Sequence, residues 1–325
     1  MSALRVRTAS RLHFGLLGWG PPAARQFGGV GLMVENPGIE LIAEPVGAGT
    51  VDGPLAERAR NIIRQVQERA AAGGEAACRF VPARFQVVSA PPEHVGLGVG
   101  TQLSLAVVRL LCELAGKKDP SVECLARLSG RGRRSGIGLH GFLHGGLIVD
   151  GGRRDEVHPP PLVARMPFPE NWSVLTIQPP GLRGRHGADE VRAFGELPPL
   201  PDRVTDRLCR LVLLGILPAV AERDFPSFGA ALHELQLKVG AAFAPAQGGI
   251  FSSPRSEAIV AEMNRLGLTG AGQTSWGPTL FAFGILSASE QARIAARLLD
   301  QFELDPFTVN WTRVANHGAL PTRLS

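Results

Sequence analysis

The chain has 325 residues, of which 44% are hydrophobic and 19% charged, with a net charge of +5. That is a globular composition with enough length for two domains, and it excludes a disordered chain. Lysine occurs only at Lys117, Lys118 and Lys238, so the positive charge is almost wholly arginine. With no basic tail and no basic-aromatic alternation, a nucleic-acid partner is not expected.

Alternating apolar and polar residues over 4–9 predict a first strand, and residues 30–34 and 39–45 predict two more, separated by an Asn36-Pro37-Gly38 turn. A helix is expected over 55–72, stopped by Gly73-Gly74, and a strand over 84–89. Leu103, Ala106, Val107, Leu110, Leu111 and Leu114 then share one helical face that closes at Gly116. A further helix should begin at Ser121, and Leu147–Asp150 reads as a short buried strand. Pro159-Pro160-Pro161, with Pro167 and Pro169 behind it, is the sharpest change of composition. It marks the expected boundary between a domain of residues 1–160 and one of residues 161–325. Beyond it, strands are expected at 173–177, 280–285 and 307–314, and helices at 202–221, 228–243, 256–266 and 289–302. Such an order predicts an α+β domain with helices packed on an antiparallel sheet.

Cys78, Cys112, Cys124 and Cys209 form no C-x-x-C pair, and those in apolar helical stretches are expected as buried thiols in a reducing cytoplasm. The first residues lack the apolar core of a signal peptide. The longest apolar run, 211–220, contains Pro218 and is too short to span a bilayer. A cytoplasmic protein without a membrane partner is therefore expected.

Three segments carry chemistry. Gly96-Leu97-Gly98-Val99-Gly100, preceded by His94 and followed by Thr101 and Gln102, joins an expected strand to the amphipathic helix. Glycines let a backbone approach an anion, and the first N–H groups of a helix have no acceptor inside it, so the segment reads as a phosphate cradle. It has neither a Walker ending nor dinucleotide-fingerprint spacing, and the competing reading is a tight strand-to-helix turn. In the second segment Arg131, Arg133, Arg134 and Ser135 stand among Gly130, Gly132, Gly136 and Gly138. Guanidinium forks suit a polyanion, and a solvated basic loop is the alternative. The third runs from Gly270-Ala271-Gly272 into Gln273, Thr274, Ser275 and Trp276, offering hydrogen-bond donors and a flat apolar face. Its alternative is a hairpin turn capped by a core tryptophan.

In this order the segments resemble the GHMP kinase superfamily over nearly the whole chain. The resemblance implies an α+β, two-domain GHMP-kinase-like fold, with a ribosomal-protein-type β-α-β N-terminal domain and a ferredoxin-like C-terminal domain flanking a cleft. Kinases of the superfamily carry G-L-G-S-S-A-A, with a serine helping to hold magnesium, where this chain has Val99 and Gly100. They typically carry S-G-I-D, whose aspartate acts on the accepting hydroxyl, where this chain has Ser135-Gly136-Ile137-Gly138. Glycine has no side chain to orient a nucleophile or take its proton.

The β-ribofuranosylaminobenzene 5′-phosphate synthase branch shows the same departures. The chain resembles it also in Ser10-Arg11-Leu12-His13-Phe14-Gly15 and in Gly272-Gln273-Thr274-Ser275-Trp276-Gly277-Pro278. This resemblance implies a ribosyltransferase of tetrahydromethanopterin biosynthesis. Such an enzyme joins phosphoribosyl diphosphate to 4-aminobenzoate or 4-hydroxybenzoate, releasing CO2 and diphosphate. It further implies a homodimer, no nucleotide cofactor, and magnesium only as a companion of the diphosphate. On this reading the glycine loop and Arg131, Arg133 and Arg134 hold phosphates, Trp276 and Phe14 sandwich the ring, and Arg11 neutralises its carboxylate. His13 and His94 are candidates to polarise the amine or to contact phosphate. His140 and His144, spaced i, i+4, lack a third metal ligand and are expected to be structural. His158 and His186 are expected in surface loops, and Asp150 is the one acid to watch, with a hydrogen-bonded turn as its alternative. An ATP-dependent small-molecule kinase and a non-catalytic ligand sensor remain the competing functions.

Overall fold

The N-terminal alternation is realised as β1 (Leu4–Leu16), paired antiparallel with β2 (Gly29–Pro45) in a computed structural model that describes residues 2–21, 25–47, 49–73, 80–184 and 187–324. The two strands expected at 30–34 and 39–45 are one. Thr8 pairs with Ile39 and Ser10 with Val34, so β2 passes Asn36-Pro37-Gly38 as a bulge, where no ladder N–H is asked of the proline. There follow β3 (Val51–Asp52), α1 (Ala56–Ala72), β4 (Ala83–Ser89), α2 (Val99–Leu114), α3 (Val122–Ser129), α4 (Ile137–His144), β5 (Leu147–Asp150) and β6 (Leu162–Met166). The remainder comprises β7 (Ser173–Ile177), α5 (Gly187–Glu196), α6 (Asp202–Leu211), a π-helical turn at Val212–Ile216, and α7 (Leu217–Glu222). After these come α8 (Phe225–Gln247), α9 (Pro254–Arg265), β8 (Thr269–Gln273), β9 (Leu280–Gly284), α10 (Ala288–Gln301), β10 (Val309–Thr312) and β11 (Thr322–Arg323).

One sheet has the order β11-β1-β2-β4-β3, with β5 bonded to β2 and β6 to β5; the other runs β10-β7-β9-β8. The strand after the proline run, β6, therefore pairs into the first sheet, as does β11 at its other side. A single apolar core reaches from β1 to β9, where Phe14 packs on Phe281 with ring centroids 5.2 Å apart. A smaller cluster lies between the second sheet and the inner faces of α9 and α10, through Leu175, Ile259, Met263, Ile294 and Leu298. α2 is apolar on nearly every side because it is wrapped by the first sheet and by α1, α3 and α4.

Two stretches expected as loops are ordered elements. Residues 269–273 form β8 rather than a turn, because its glycines let α8 approach: a Cβ on Gly272 would meet Gln236 Oε1 at 2.3 Å. The glycine-arginine segment ends in α4, a short helix with little amphipathic signal. Cys112 is buried, Cys124 half-buried and Cys209 exposed, so the expectation of buried thiols fails at Cys209, which lies on the solvent side of α6. Cys78 lies outside the described residues. Among the described residues no helix is long and apolar enough to cross a membrane.

Candidate functional site

Gly98, at φ +74°, is the N-cap of α2, and Gly96 stands at φ +88°; both sit in the left-handed region that glycine enters without strain. A Cβ on Gly96 would lie 2.2 Å from Thr274 Oγ1 and 2.7 Å from Gly277 Cα, so the loop is seated directly on the β8–β9 turn. From the other side Arg11 N donates to Leu97 O at 3.0 Å. Held this way, the N–H groups of Val99 and Gly100 leave the N-terminus of α2 without intrahelical acceptors. They face a lobe of about 520 Å³ lined by the loop, Arg58, His94 and Arg131.

Guanidinium groups crowd the open side of Gly100, one of the two positions where the resemblance to the kinases places serine. A Cβ on Gly100 would fall 2.3 Å from Arg58 Nη2 and 3.6 Å from Arg131 Nη2. Arg131 Nε donates to Ser104 Oγ at 3.2 Å, and that hydroxyl donates to Gly100 O at 2.7 Å. Arg58 pairs with Glu93. Burial, then the charges of Arg58 and Arg69, push Arg131 down to about 10. An anion in the lobe would relieve that repulsion. A Cβ on Gly138 would press 3.1 Å from Thr101 Cγ2 and make ordinary contact with Arg11 Cδ at 3.8 Å. A magnesium held as in kinases does not fit this loop: Gly100 offers no oxygen side chain, and the neighbouring acids Glu93 and Glu190 are each paired with an arginine.

A second lobe, of about 540 Å³, adjoins the first, and Arg11, Thr101, Arg131, Arg134, Ser275 and Trp276 line both. Its wall is aromatic. Phe194 meets Phe27 and Trp276 edge-on, with centroids 5.4 Å and 5.1 Å apart. The Arg134 guanidinium lies 5.7 Å over Phe194 and bonds Glu190 at 2.7 Å, while Arg153 sits 5.1 Å over Phe27. Arg11 is half-buried, and its Nε, sealed from solvent, has no hydrogen-bond partner among the described residues. Burial lowers its pKa, against the nearby charges of Glu190 and Asp150.

His13 is 2% exposed, with Nδ1 2.9 Å from Ser275 Oγ and Nε2 3.1 Å from Ser135 Oγ. Ser135 Oγ donates to Asp150 Oδ2 at 3.1 Å, and Asp150 also accepts from the N–H groups of Gly136 at 2.8 Å and Gly152 at 2.9 Å. Ser135 has one hydrogen and gives it to the carboxylate, so toward His13 it accepts, which assigns the proton to Nε2. Nδ1 is then the acceptor of the Ser275 hydroxyl. Burial, and secondarily Arg11, hold His13 well below the usual imidazole range, which keeps it neutral. Burial raises Asp150, opposed by its hydrogen bonds from Gly152, Gly136 and Ser135.

The structure thus brings together most of the residues singled out from the sequence: Gly96–Thr101, Arg11, His13, His94, Arg131, Arg133, Arg134, Ser135, Ser275 and Trp276. Others stand behind the wall. Gln102 ties α2 to α4 by donating to Gly138 O at 2.9 Å, and Gly136 commits its N–H to Asp150. Thr274 is fully buried, and Gln273 accepts from Ser252 N at 2.8 Å. Phe14 is a correction: it is fully buried against Phe281 and Phe283, and the rings that line the cleft with Trp276 are Phe194, which meets it, and Phe27, which meets Phe194. Arg58, Phe27, Arg153, Glu190 and Phe194 are site residues the sequence reading missed.

His140 Nε2 lies 2.8 Å from Pro160 O, and among the described residues no cluster of three or more His, Cys, Asp or Glu could hold a metal. His158 is exposed and bonds Asp155 at 2.9 Å, while His186 lies outside the described residues.

Comparison with known proteins bears on the family and the fold. Residues 216–304 match the family model of the GHMP kinases C terminal. The chain is 35% identical over 298 residues to a beta-ribofuranosylphenol 5′-phosphate synthase of Methanothermobacter thermautotrophicus, covering 86% of this chain and 88% of that one. To the protein of that name from Archaeoglobus fulgidus it is 38% identical over 247 residues, covering 72% and 75%. Among solved structures, a homoserine kinase from Cytophaga hutchinsonii superposes with a TM-score of 0.66 at 15% identity, over 99% of this chain and 98% of that one. The fold is GHMP-kinase-like and α+β.

Proposed function

Since the chain belongs to the beta-ribofuranosylphenol 5′-phosphate synthase family, we propose that it is a ribosyltransferase. In this reading it joins phosphoribosyl diphosphate to 4-hydroxybenzoate or 4-aminobenzoate and releases CO2 and diphosphate. The relatives are named for a phenol product, which favours the hydroxy acid. One observation carries the reading: at Gly100, one of the two positions where the kinases' motif has serine, the guanidinium groups of Arg58 and Arg131 crowd the open side of the loop. That loop is built to receive a polyanion, and Gly138 has no side chain to take the part of the aspartate in the kinases' motif.

The chemistry follows from the two lobes. The C1′–O bond of the sugar breaks, and its electron pair departs with diphosphate onto Arg58, Arg131 and the N-terminus of α2. Positive charge develops at C1′, and the ring carbon bearing the carboxylate, activated by its para substituent, forms the new carbon–carbon bond. The bond to the carboxylate then breaks as CO2 leaves, and its electrons restore the aromatic ring. Arg11, which lines both lobes, is placed to orient the acid's carboxylate. Phe27, Phe194 and Trp276 hold the ring and keep water from the sugar cation.

The test is an assay of diphosphate. It should form only when phosphoribosyl diphosphate and a 4-substituted benzoate are both present, with a product lighter than the coupled acid by one CO2. Conversion of ATP to ADP without diphosphate release from the sugar substrate would overturn the proposal.

A further inference from the structure

We infer that Ser275, His13, Ser135 and Asp150 form a proton relay that takes the proton of the acceptor's para substituent as the carbon–carbon bond forms and returns it after CO2 has left. The inference rests on the ribosyltransferase reading and adds the group that makes the ring nucleophilic. Each link is a single hydrogen bond of ordinary length: Ser275 to His13 Nδ1 at 2.9 Å, His13 Nε2 to Ser135 at 3.1 Å, Ser135 to Asp150 at 3.1 Å.

The direction of the series is set by its inner end. Asp150 is 1% exposed and collects the Gly136 and Gly152 N–H groups, while Ser135 accepts the Ile137 N–H at 3.2 Å and donates to Asp150. All the hydrogens therefore point inward, toward the carboxylate. A histidine that merely filled its cavity would end on interior groups at both nitrogens. Here the outer partner, Ser275, lines both lobes of the cleft, and its hydroxyl hydrogen is already given to His13. What Ser275 offers the cleft is a lone pair, which suits an incoming O–H or N–H. His13 is held neutral and able to accept, and burial makes the Asp150 carboxylate readier to be protonated.

The step balances without an added reactant. Acceptor O–H passes its hydrogen to Ser275 Oγ, Ser275 to His13 Nδ1, His13 Nε2 to Ser135, and Ser135 to Asp150. The O–H bonding pair becomes the second bond of a ring carbonyl, a ring π pair forms the bond to C1′, and the C1′–O pair leaves on diphosphate. The resulting dienone carries its carboxylate as a vinylogous β-keto acid. Loss of CO2 sends that electron pair through the ring to the oxygen, which recovers the proton along the same path. Ser275 is the member that touches substrate; His13, Ser135 and Asp150 position and charge it.

The experiment compares wild type with Ser275→Ala on 4-hydroxybenzoate and on 3,5-difluoro-4-hydroxybenzoate, a phenol already ionised at neutral pH. With the first acid kcat should fall about 100-fold, and with the second the variant should stay within about threefold of wild type, because no proton remains to be removed. The KM for phosphoribosyl diphosphate should not move. Ser135→Ala, which cuts His13 from Asp150, should show the same rescue with a smaller loss. Equal losses on the two acids, or no loss on either, would overturn the relay while leaving the ribosyltransferase reading intact. Failure of wild type to release diphosphate with either acid would overturn that reading, and the relay with it.

Discussion

The lobe at the start of α2 and the lobe beside His13 share Arg11, Arg131, Arg134, Ser275 and Trp276, yet they are finished to different degrees. In the first, Arg58 and Arg131 crowd the open side of Gly100, and Arg131 is pushed down to about 10 by burial and by its cationic neighbours. Its buried, mutually repelling guanidinium groups suit an anion. In the second, three aromatic rings already touch and every side-chain polar atom of His13 and Ser135 has a partner. It is set before any ligand enters. On the proposed reading, a GHMP-type scaffold puts its glycine loop to a different use, with arginines crowding Gly100: one side receives the departing charge, and the other holds the acceptor ring.

The largest effect separating the lobes is expected from Arg131→Ala. It removes the guanidinium against Gly100 and its bond to Ser104, so kcat/KM for phosphoribosyl diphosphate should fall about 100- to 1,000-fold, roughly 3–4 kcal/mol, with the thermal midpoint little changed. A loss below about tenfold would break the assignment of diphosphate to this lobe. Gly100→Ser restores the kinase residue type, and its Cβ, 2.3 Å from Arg58 Nη2, must push that flexible side chain aside. Calorimetry should show phosphoribosyl diphosphate binding weakened about tenfold, about 1.4 kcal/mol, with no ATP turnover gained. Phe194→Ala should act on the other lobe alone, raising KM for the benzoate about two- to tenfold, as loss of about 0.5–1.5 kcal/mol of aromatic contact would. A parallel rise in KM for the sugar substrate would show that the lobes are not separate.

The smallest effect is on stability. His13 sits well below 6.5 in the folded protein, so as pH falls through 6.5 the unfolded chain takes up a proton that the folded one refuses. Stability should decline in that window, by at most about 1.4 kcal/mol per pH unit for this one group. His140 and His144, also lowered by burial, act in the same direction. Asp150, raised above 3.8, acts the opposite way, its burial costing stability as pH rises. Urea unfolding of His13→Asn at pH 7 and pH 5 should show a shallower loss than wild type. An unchanged slope would mean that His13 takes up its proton equally in the folded and unfolded chains, so that burial does not hold it neutral.

What could be read from the sequence depended on whether a residue's neighbours in space were also its neighbours in the chain. The cradle at Gly96–Gly100 was legible because strand, glycines and apolar helix follow one another directly. Arg58 was not: it lies on α1 among Arg60 and Arg64, and nothing in a charged helix says which arginine turns inward. Glu190 and Phe194 carried a faint signal, an i, i+4 pair on α5 downstream of a glycine-rich stretch, and no motif drew attention to it. β8 was concealed by its glycines, which suggest a turn until Gln236 is seen to occupy the space they leave. His13 was selected for its motif alone. Its partners lie 122 and 262 residues away, which no local pattern could disclose.

The central claim, that this cleft exchanges a sugar's diphosphate for an aromatic carbon, is tested most directly by following the carboxyl carbon of the acceptor. Wild-type protein incubated with carboxyl-labelled 4-hydroxybenzoate and phosphoribosyl diphosphate should release labelled CO2 in step with diphosphate, and omission of the sugar substrate should abolish both. Retention of the label in the acid, or in any product formed from it with either phosphoribosyl diphosphate or ATP, would contradict the account.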